Sequence, residues 1–236
     1  ANPMLHLQGG VDFLLEEPTS MFTERRAAYI LPWLLHDRLA PLCPGMSRMA
    51  DWRVPYAIER MARELFKYQN EDGSLPALYR QGEGNLWTSA HAAMVLRVAE
   101  ERGHKLPSAP WNKLLAYLEK ADLKQAHPLP RYAVARALQN QEALGRALNE
   151  ALACPESDWR CSGSVRQDIE FLQYLRTHNE GRHEAFLRWM RSRAADYRHH
   201  SSWRSAWSLY ALMTYVGNSP GAQVEAAVRL PDGSTL

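Results

Sequence analysis

Apolar residues recur at three- and four-residue steps along most of this chain. In "RVPYAIERMARELFKYQ" (53–69) Ile58, Met61, Leu65 and Tyr68 fall on one face of a helix. The same period runs through "WTSAHAAMVLRVAEERG" (87–103), "WNKLLAYLEKA" (111–121) and "RYAVARALQNQEALGRALNEALA" (131–153). It returns in "SVRQDIEFLQYLRTH" (164–178), "HEAFLRWMRSRAADY" (183–197) and "SSWRSAWSLYALMTYVG" (201–217). Between these runs lie short stretches such as "NEDGSLPAL", "GHKLPSAP" and "HNEG", whose Gly, Pro, Asn and Asp stop helices and turn the chain. The pattern predicts an all-α protein built of helical hairpins, with little strand signal before its end. There Val224, Ala226, Val228 and Leu230 alternate with Glu225 and Arg229 and lead into "PDGS", the pattern of a strand and a turn. A lone strand has no partner in a helical body. Residues 1–220 are therefore expected to form the helical domain, and 221–236 a strand stub of a neighbouring β domain.

Two of the helices echo each other. Trp87-Thr88-Ser89-Ala90 and Trp203-Arg204-Ser205-Ala206 both open a helix, and Leu96 and Leu212 follow at matching positions. A serine near a helix start satisfies free backbone N–H groups, and small alanines let neighbouring helices approach. Repeated helical hairpins close into a ring or stack into a solenoid.

Composition changes this picture little. Of 236 residues, 46% are hydrophobic and 23% charged, which are globular proportions. A formal net charge of +2 gives no reason to expect a nucleic-acid partner. No run of eighteen apolar residues occurs, and "ANPMLHLQGG" lacks the basic start and apolar core of a secretory leader. The three cysteines, Cys43, Cys154 and Cys161, show no CxxC or Cys/His zinc spacing. Cys154 and Cys161 bracket the polar loop "PESDWR"; a small disulfide in an oxidising compartment and two unpaired thiols are both open there. Without metal-ligand spacings or a Gly-rich phosphate loop, neither metal nor cofactor is expected, and no GxSxG nucleophile elbow occurs.

The remaining candidates are weak taken singly. His178 and His183 flank "NEGR", and His199 and His200 are adjacent; without an HExxH pattern these are solvated or capping histidines. Asp12, Glu16 and Glu17 suit acid–base work in an α/α-barrel glycosidase, but acids at a helix start have a simpler reason in the helix dipole. Arg188, Arg191, Arg193 and Arg198 lie among Trp189, Tyr197 and Trp203. They form a basic face that suits solvent first and an acidic protein partner second.

The order Leu-x3-Gln-x2-Asp-Gly-Ser in "LFKYQNEDGSL" (65–75) resembles the helix-end turn of the α/α-toroid superfamily. That group includes terpene cyclases, protein prenyltransferases and the thioester domains of complement and alpha-2-macroglobulin proteins. Physically, Asp72-Gly73 makes a tight turn in which glycine accepts positive φ. The cyclases need an acidic cluster such as DxDD, and the prenyltransferases an Asp-x-Cys ligand pair; this chain has neither. The thioester branch remains. Its Cys-x-Glu-Gln motif starts a helix, with a proline eight residues after the Glu. Cys and Gln three apart stand one turn apart, within reach of each other. In "EEPTSMFTERRAAYILPWLL" (16–35) Glu24 precedes Pro32 by eight. Phe22 then stands at the Cys position, Thr23 at x, Glu24 at Glu and Arg25 at Gln. Phenylalanine has no thiol and arginine no acyl carbon, so no thioester forms. Phe22 is expected to fill the pocket a thioester would occupy, and Arg25 to reach an acid or stay solvated. The loop after the turn, "SLPALYRQGEGNL", also lacks the histidine of relatives that transfer rapidly to hydroxyls.

The chain thus resembles the thioester domain of the bacterial alpha-2-macroglobulin proteins that lack the thioester. The resemblance implies an α/α toroid inserted in a β-sandwich, and a non-catalytic role in a periplasmic parent, in one form anchored to the inner membrane. Proteases would cleave that parent and be trapped or docked without a covalent bond. Its implied partners are proteases, neighbouring β domains and other periplasmic proteins. Two other readings stand beside it: a glycoside hydrolase or lyase on the same toroid, and a scaffold module that binds partners through the arginine face.

Overall fold

The computed structural model describes residues 20–40, 46 and 51–153. Among them eight helices and one small sheet follow in order. They are α1 (Thr23–Ala28), α2 (Ile30–Leu34), α3 (His36–Leu39), a 3-10 turn (Asp51–Arg53), α4 (Val54–Phe66), β1 (Pro76–Leu78), β2 (Gln81–Gly84), α5 (Leu86–Glu101), α6 (Ser108–Glu119), α7 (Pro128–Ala137) and α8 (Gln141–Ala153). The second half of the expected toroid, the strand stub, Cys154, Cys161, the arginine face and Asp12, Glu16 and Glu17 lie outside the described residues.

The apolar run after Phe22 is helical from Thr23 to Leu39, but in three pieces. Pro32 supplies the reason for the first interruption: it has no N–H to give the Ala28 carbonyl, and its ring crowds that carbonyl. That interruption falls at Tyr29, and a second, which Pro32 does not explain in this way, falls at Leu35. The apolar face of α4 holds Val54, Ile58, Ala62, Leu65 and Phe66 in the core, close to the predicted stripe.

Helix α5 is the centre. Residues Thr88 to Leu96, with Val98 and Ala99, are all buried. A helix apolar nearly all round belongs inside a protein, and α5 packs against α1, α2, α6, α7 and β1. Its alanines 90, 92, 93 and 99 allow that close approach. Its start departs from the sequence reading. Asn85 is the cap, its Oδ1 accepting from the Thr88 N–H at 2.9 Å. Ser89 serves a different purpose: its Oγ accepts from the Leu75 N–H at 2.8 Å, tying the preceding loop to the helix.

Residues 131–153, expected as one helix, are divided between α7 and α8. The break is in "LQNQ": Gln139 takes φ +57°, and the Asn140 Oδ1 accepts from the Ala143 N–H at 3.0 Å to restart the helix. Asn140 is a good cap residue, whereas Gln139 has no preference for the conformation it holds. A left-handed backbone costs a side chain of this type about 1–2 kcal/mol. Gln139→Gly therefore stabilises the fold by about 0.5–1 kcal/mol after the entropic cost of glycine, read from urea unfolding midpoints. A variant less stable than the parent would contradict that account.

The β1–β2 hairpin is a correction to the expectation of few strands. Pro76 pairs with Gly84 and Leu78 with Gln81, and the turn places Arg80 at φ +86°. Strands of three and four residues, PAL and QGEG, are too short to carry an alternation to read. Tertiary contacts hold this one in place.

Candidate functional site

The start of α1 and the hairpin are built together. Phe22 is extended, at φ −97° and ψ 123°, and forms an antiparallel bridge with Leu78. The Tyr79 N–H donates to the Met21 carbonyl at 2.7 Å, so residues 21–22 line the edge of β1. Ser20 fixes the approach: its Oγ accepts from the Phe22 N–H at 3.2 Å, and its carbonyl accepts from Arg26 Nε at 2.7 Å. The guanidinium of Arg26 lies 3.5 Å from the centroid of the Tyr79 ring. The Tyr79 hydroxyl donates to Glu64 Oε2 at 3.0 Å. Burial first, then the Glu64 carboxylate, raises the Tyr79 phenol above its ordinary pKa. It stays a neutral donor. Arg26, Tyr79 and Glu64 thus clamp α1, the hairpin and α4 to one another.

This geometry corrects the expected role of Phe22. Its side chain is 48% exposed, so it does not fill a pocket. The bridge to Leu78 decides this, because it turns residue 22 outward while Thr23, Ala27 and Ala28 take the buried face. Arg25 lies over the Phe22 ring, 5.3 Å from its centroid. The two side chains three residues apart do meet, as one helical turn requires, in a cation–π contact. Glu24 turns inward, its Oε2 accepting from Trp87 Nε1 at 3.0 Å. Thr23 is 1% exposed. Its hydroxyl has no hydrogen-bond partner among the described residues and so no base to activate it.

The turn after α4 supports this arrangement from below. Gly73 sits at φ +92°, as the Asp-Gly pair predicts. Asp72 Oδ1 accepts from the Ser74 N–H at 2.9 Å and from its hydroxyl at 2.6 Å, and these bonds hold the Asp72 carboxyl below its ordinary pKa. Gln69 Nε2 donates to the Gly73 and Pro110 carbonyls at 2.9 and 3.0 Å. The glutamine of the resemblance motif therefore joins the turn to α6.

His91 was not singled out in the sequence. It is fully buried in α5, with its ring stacked on Trp87 at 5.6 Å between centroids. Burial pushes its pKa down to about 3, so the ring is neutral at neutral pH. Only its place among alanines hinted at this. Arg26 and Tyr79 gave no periodic signal either, since their partners are distant in the chain. A cavity of about 300 Å³ lies between α6, α7 and α8, with Leu118, Val134 and Leu138 on its apolar side. Its rim mixes Lys124, Arg131 and Arg146 with Glu119 and Glu150, and Arg131 is already paired with Glu150. No cluster of three metal-binding side chains and no helix long and apolar enough to cross a membrane occurs among the described residues.

Fold and site together define a mostly helical domain whose first helix starts against a small hairpin and packs on a buried central helix. No family model matches the chain, and no curated protein is similar in sequence. Solved structures are similar in shape. One is the native alpha-2-macroglobulin of Escherichia coli from domain MG7 to the C-terminus, with a TM-score of 0.63 and 16% identity. The match covers 91% of this chain and 42% of that one. Another is the cryo-EM reconstruction of the native conformation of the same protein, with a TM-score of 0.63, 16% identity, 92% of this chain and 17% of that one. This chain thus has the fold of part of that protein and spans less than half its length.

Proposed function

We propose that this chain is the helical domain of a bacterial alpha-2-macroglobulin-like protease inhibitor that lacks the thioester and acts by non-covalent trapping or docking. The fold likeness to the Escherichia coli protein supports the kinship. The observation that carries the mechanism is the Phe22–Arg25 pair. These side chains meet at the start of α1, in the register where the family places thiol and acyl group, and neither can take part in an acyl bond. In this reading the domain is non-catalytic and belongs to a periplasmic parent with neighbouring β domains.

Methylamine opens thioesters, so treatment of this chain should add no mass and release no thiol. Intact-mass measurement with a thiol titration decides the point, and a methylamine adduct would sink the proposal. Trapping itself is tested on the full-length parent mixed with a broad-specificity protease. Cleavage of a small peptide should survive while cleavage of a large protein substrate falls, with no covalent adduct on denaturing gels. If both activities are untouched, the parent is not a protease trap.

A further inference from the structure

Helix α4 has an outward face whose composition helix stability does not call for. Opposite its buried residues, at three- and four-residue steps, stand Trp52, Tyr56, Arg60, Arg63 and Lys67, with Arg53 beside them, all exposed. Trp52 is 73% exposed and Tyr56 67%. The Arg53 guanidinium lies 4.9 Å from the centroid of the Trp52 ring. Of the two carboxylates on this helix, Glu59 pairs with Arg63 at 2.6 Å and Glu64 accepts from the Tyr79 hydroxyl. Residues 53–67 hold four cations and two acids, a net +2, which equals the charge of the whole chain. The helix dipole gives Arg63 and Lys67 a reason to be near the C-terminal end. It gives none for Arg53 at the N-terminal end, and burial gives none for Trp52 or Tyr56. Tryptophan, tyrosine and arginine are the side chains that dominate protein interfaces.

We propose that this face docks an acidic segment of another protein. Its carboxylates would lie over Arg53, Arg60 and Lys67, with an apolar side chain between Trp52 and Tyr56. Charge complementarity selects the partner's sign, and the setting selects its class. A membrane-surface helix buries its apolar face in lipid, whereas the apolar face of α4 is already in the core. Nucleic acid calls for a broad basic surface, and this is one short row flanked by two acids. From Trp52 to Lys67 the face runs roughly 22 Å at 1.5 Å per residue, the length of a four-turn acidic helix. The proposal uses none of residues 22–25 and stands apart from the trapping reading.

The test uses the intact chain and a fluorescein-labelled random copolymer of glutamate and tyrosine, followed by anisotropy. Binding should be saturable and should weaken as salt rises. The double variant Arg60→Glu with Lys67→Glu should weaken it at least tenfold, and Trp52→Ala at least threefold. The exposed control pair Lys105→Glu with Lys113→Glu makes the same charge change elsewhere and should leave it within twofold. Far-UV circular dichroism confirms that each variant is folded. The proposal is overturned if the copolymer does not bind, or if the control pair weakens binding as much as the α4 pair. It is equally overturned if phosphatidylglycerol vesicles or single-stranded DNA bind more tightly than the copolymer through the same residues.

Discussion

Lowering the pH below 6.5 should weaken the folded state by about 1.4 kcal/mol per pH unit through His91 alone. The sign follows from its environment. Burial holds the His91 pKa at about 3 in the fold, against 6.5 in an exposed chain. Protons therefore prefer the unfolded state. The stability contribution of the neutral ring is fully present above pH 6.5, shrinks as the pH falls, and is gone near pH 3. Over the whole window the loss is on the order of 4–5 kcal/mol, a large part of what a domain of this size possesses. Asp72 and Glu101 also have depressed pKa values, from the Ser74 and Arg136 hydrogen bonds respectively. Their contributions are lost as the pH falls through the carboxylate range, so the comparison belongs between pH 6.5 and 5. Urea unfolding of the parent and of His91→Phe over that range isolates the effect, since the carboxylates cancel in the difference. Over that range the parent should lose about 1.5 kcal/mol more than the variant, the slope steepening towards the limiting value as the pH falls. Equal slopes would mean that His91 titrates normally and is reached by water in the folded protein.

Replacing Gly73 by alanine should cost on the order of 3 kcal/mol. Two effects add at this position. The residue holds φ +92°, and a Cβ there would stand 2.3 Å from the carbonyl oxygen of Lys113 and 2.8 Å from its carbon. That neighbour is the backbone of α6, which cannot step aside without moving a helix. Gly82 separates the two effects: it too has positive φ, +112°, but a Cβ there meets nothing within 4 Å. Gly82→Ala should therefore cost only the conformational part, about 1–2 kcal/mol. Thermal unfolding of both variants checks this, and equal losses would remove Lys113 from the explanation. The damage should also reach the start of α1. The Gly73 turn sets the chain into Ser74, Leu75 and the hairpin that bridges Phe22.

Helices α4 and α5 were legible because each pairs an apolar period with a local stop. Residues 53–69 and 87–103 showed both, and α4 and α5 lie where they placed them. The Asp72-Gly73 turn was legible for the same reason, being chemistry within four residues. At the candidate site helical spacing puts positions 22 and 25 within reach of each other, but the Arg25–Phe22 contact was not anticipated, since Arg25 was expected to reach an acid or stay solvated. The burial of Phe22 did not follow and was wrong, because its direction depends on Leu78, more than fifty positions along the chain.

The sequence by itself determined the helical class of the described core, most helix positions, the tight turn and the lack of a thiol and an acyl group at residues 22 and 25. The division of residues 131–153 at Gln139 is local chemistry, the Asn140 cap on Ala143, that an unbroken apolar period concealed. Only the tertiary structure decided that a hairpin stands before α5. It alone also decided that Ser89 tethers a loop and that Phe22 faces outward. The reason is range. Periodicity and turn preference are set by neighbours within a few residues, whereas the clamp of Arg26, Tyr79 and Glu64 joins residues that meet only after α1, α4 and the hairpin have packed.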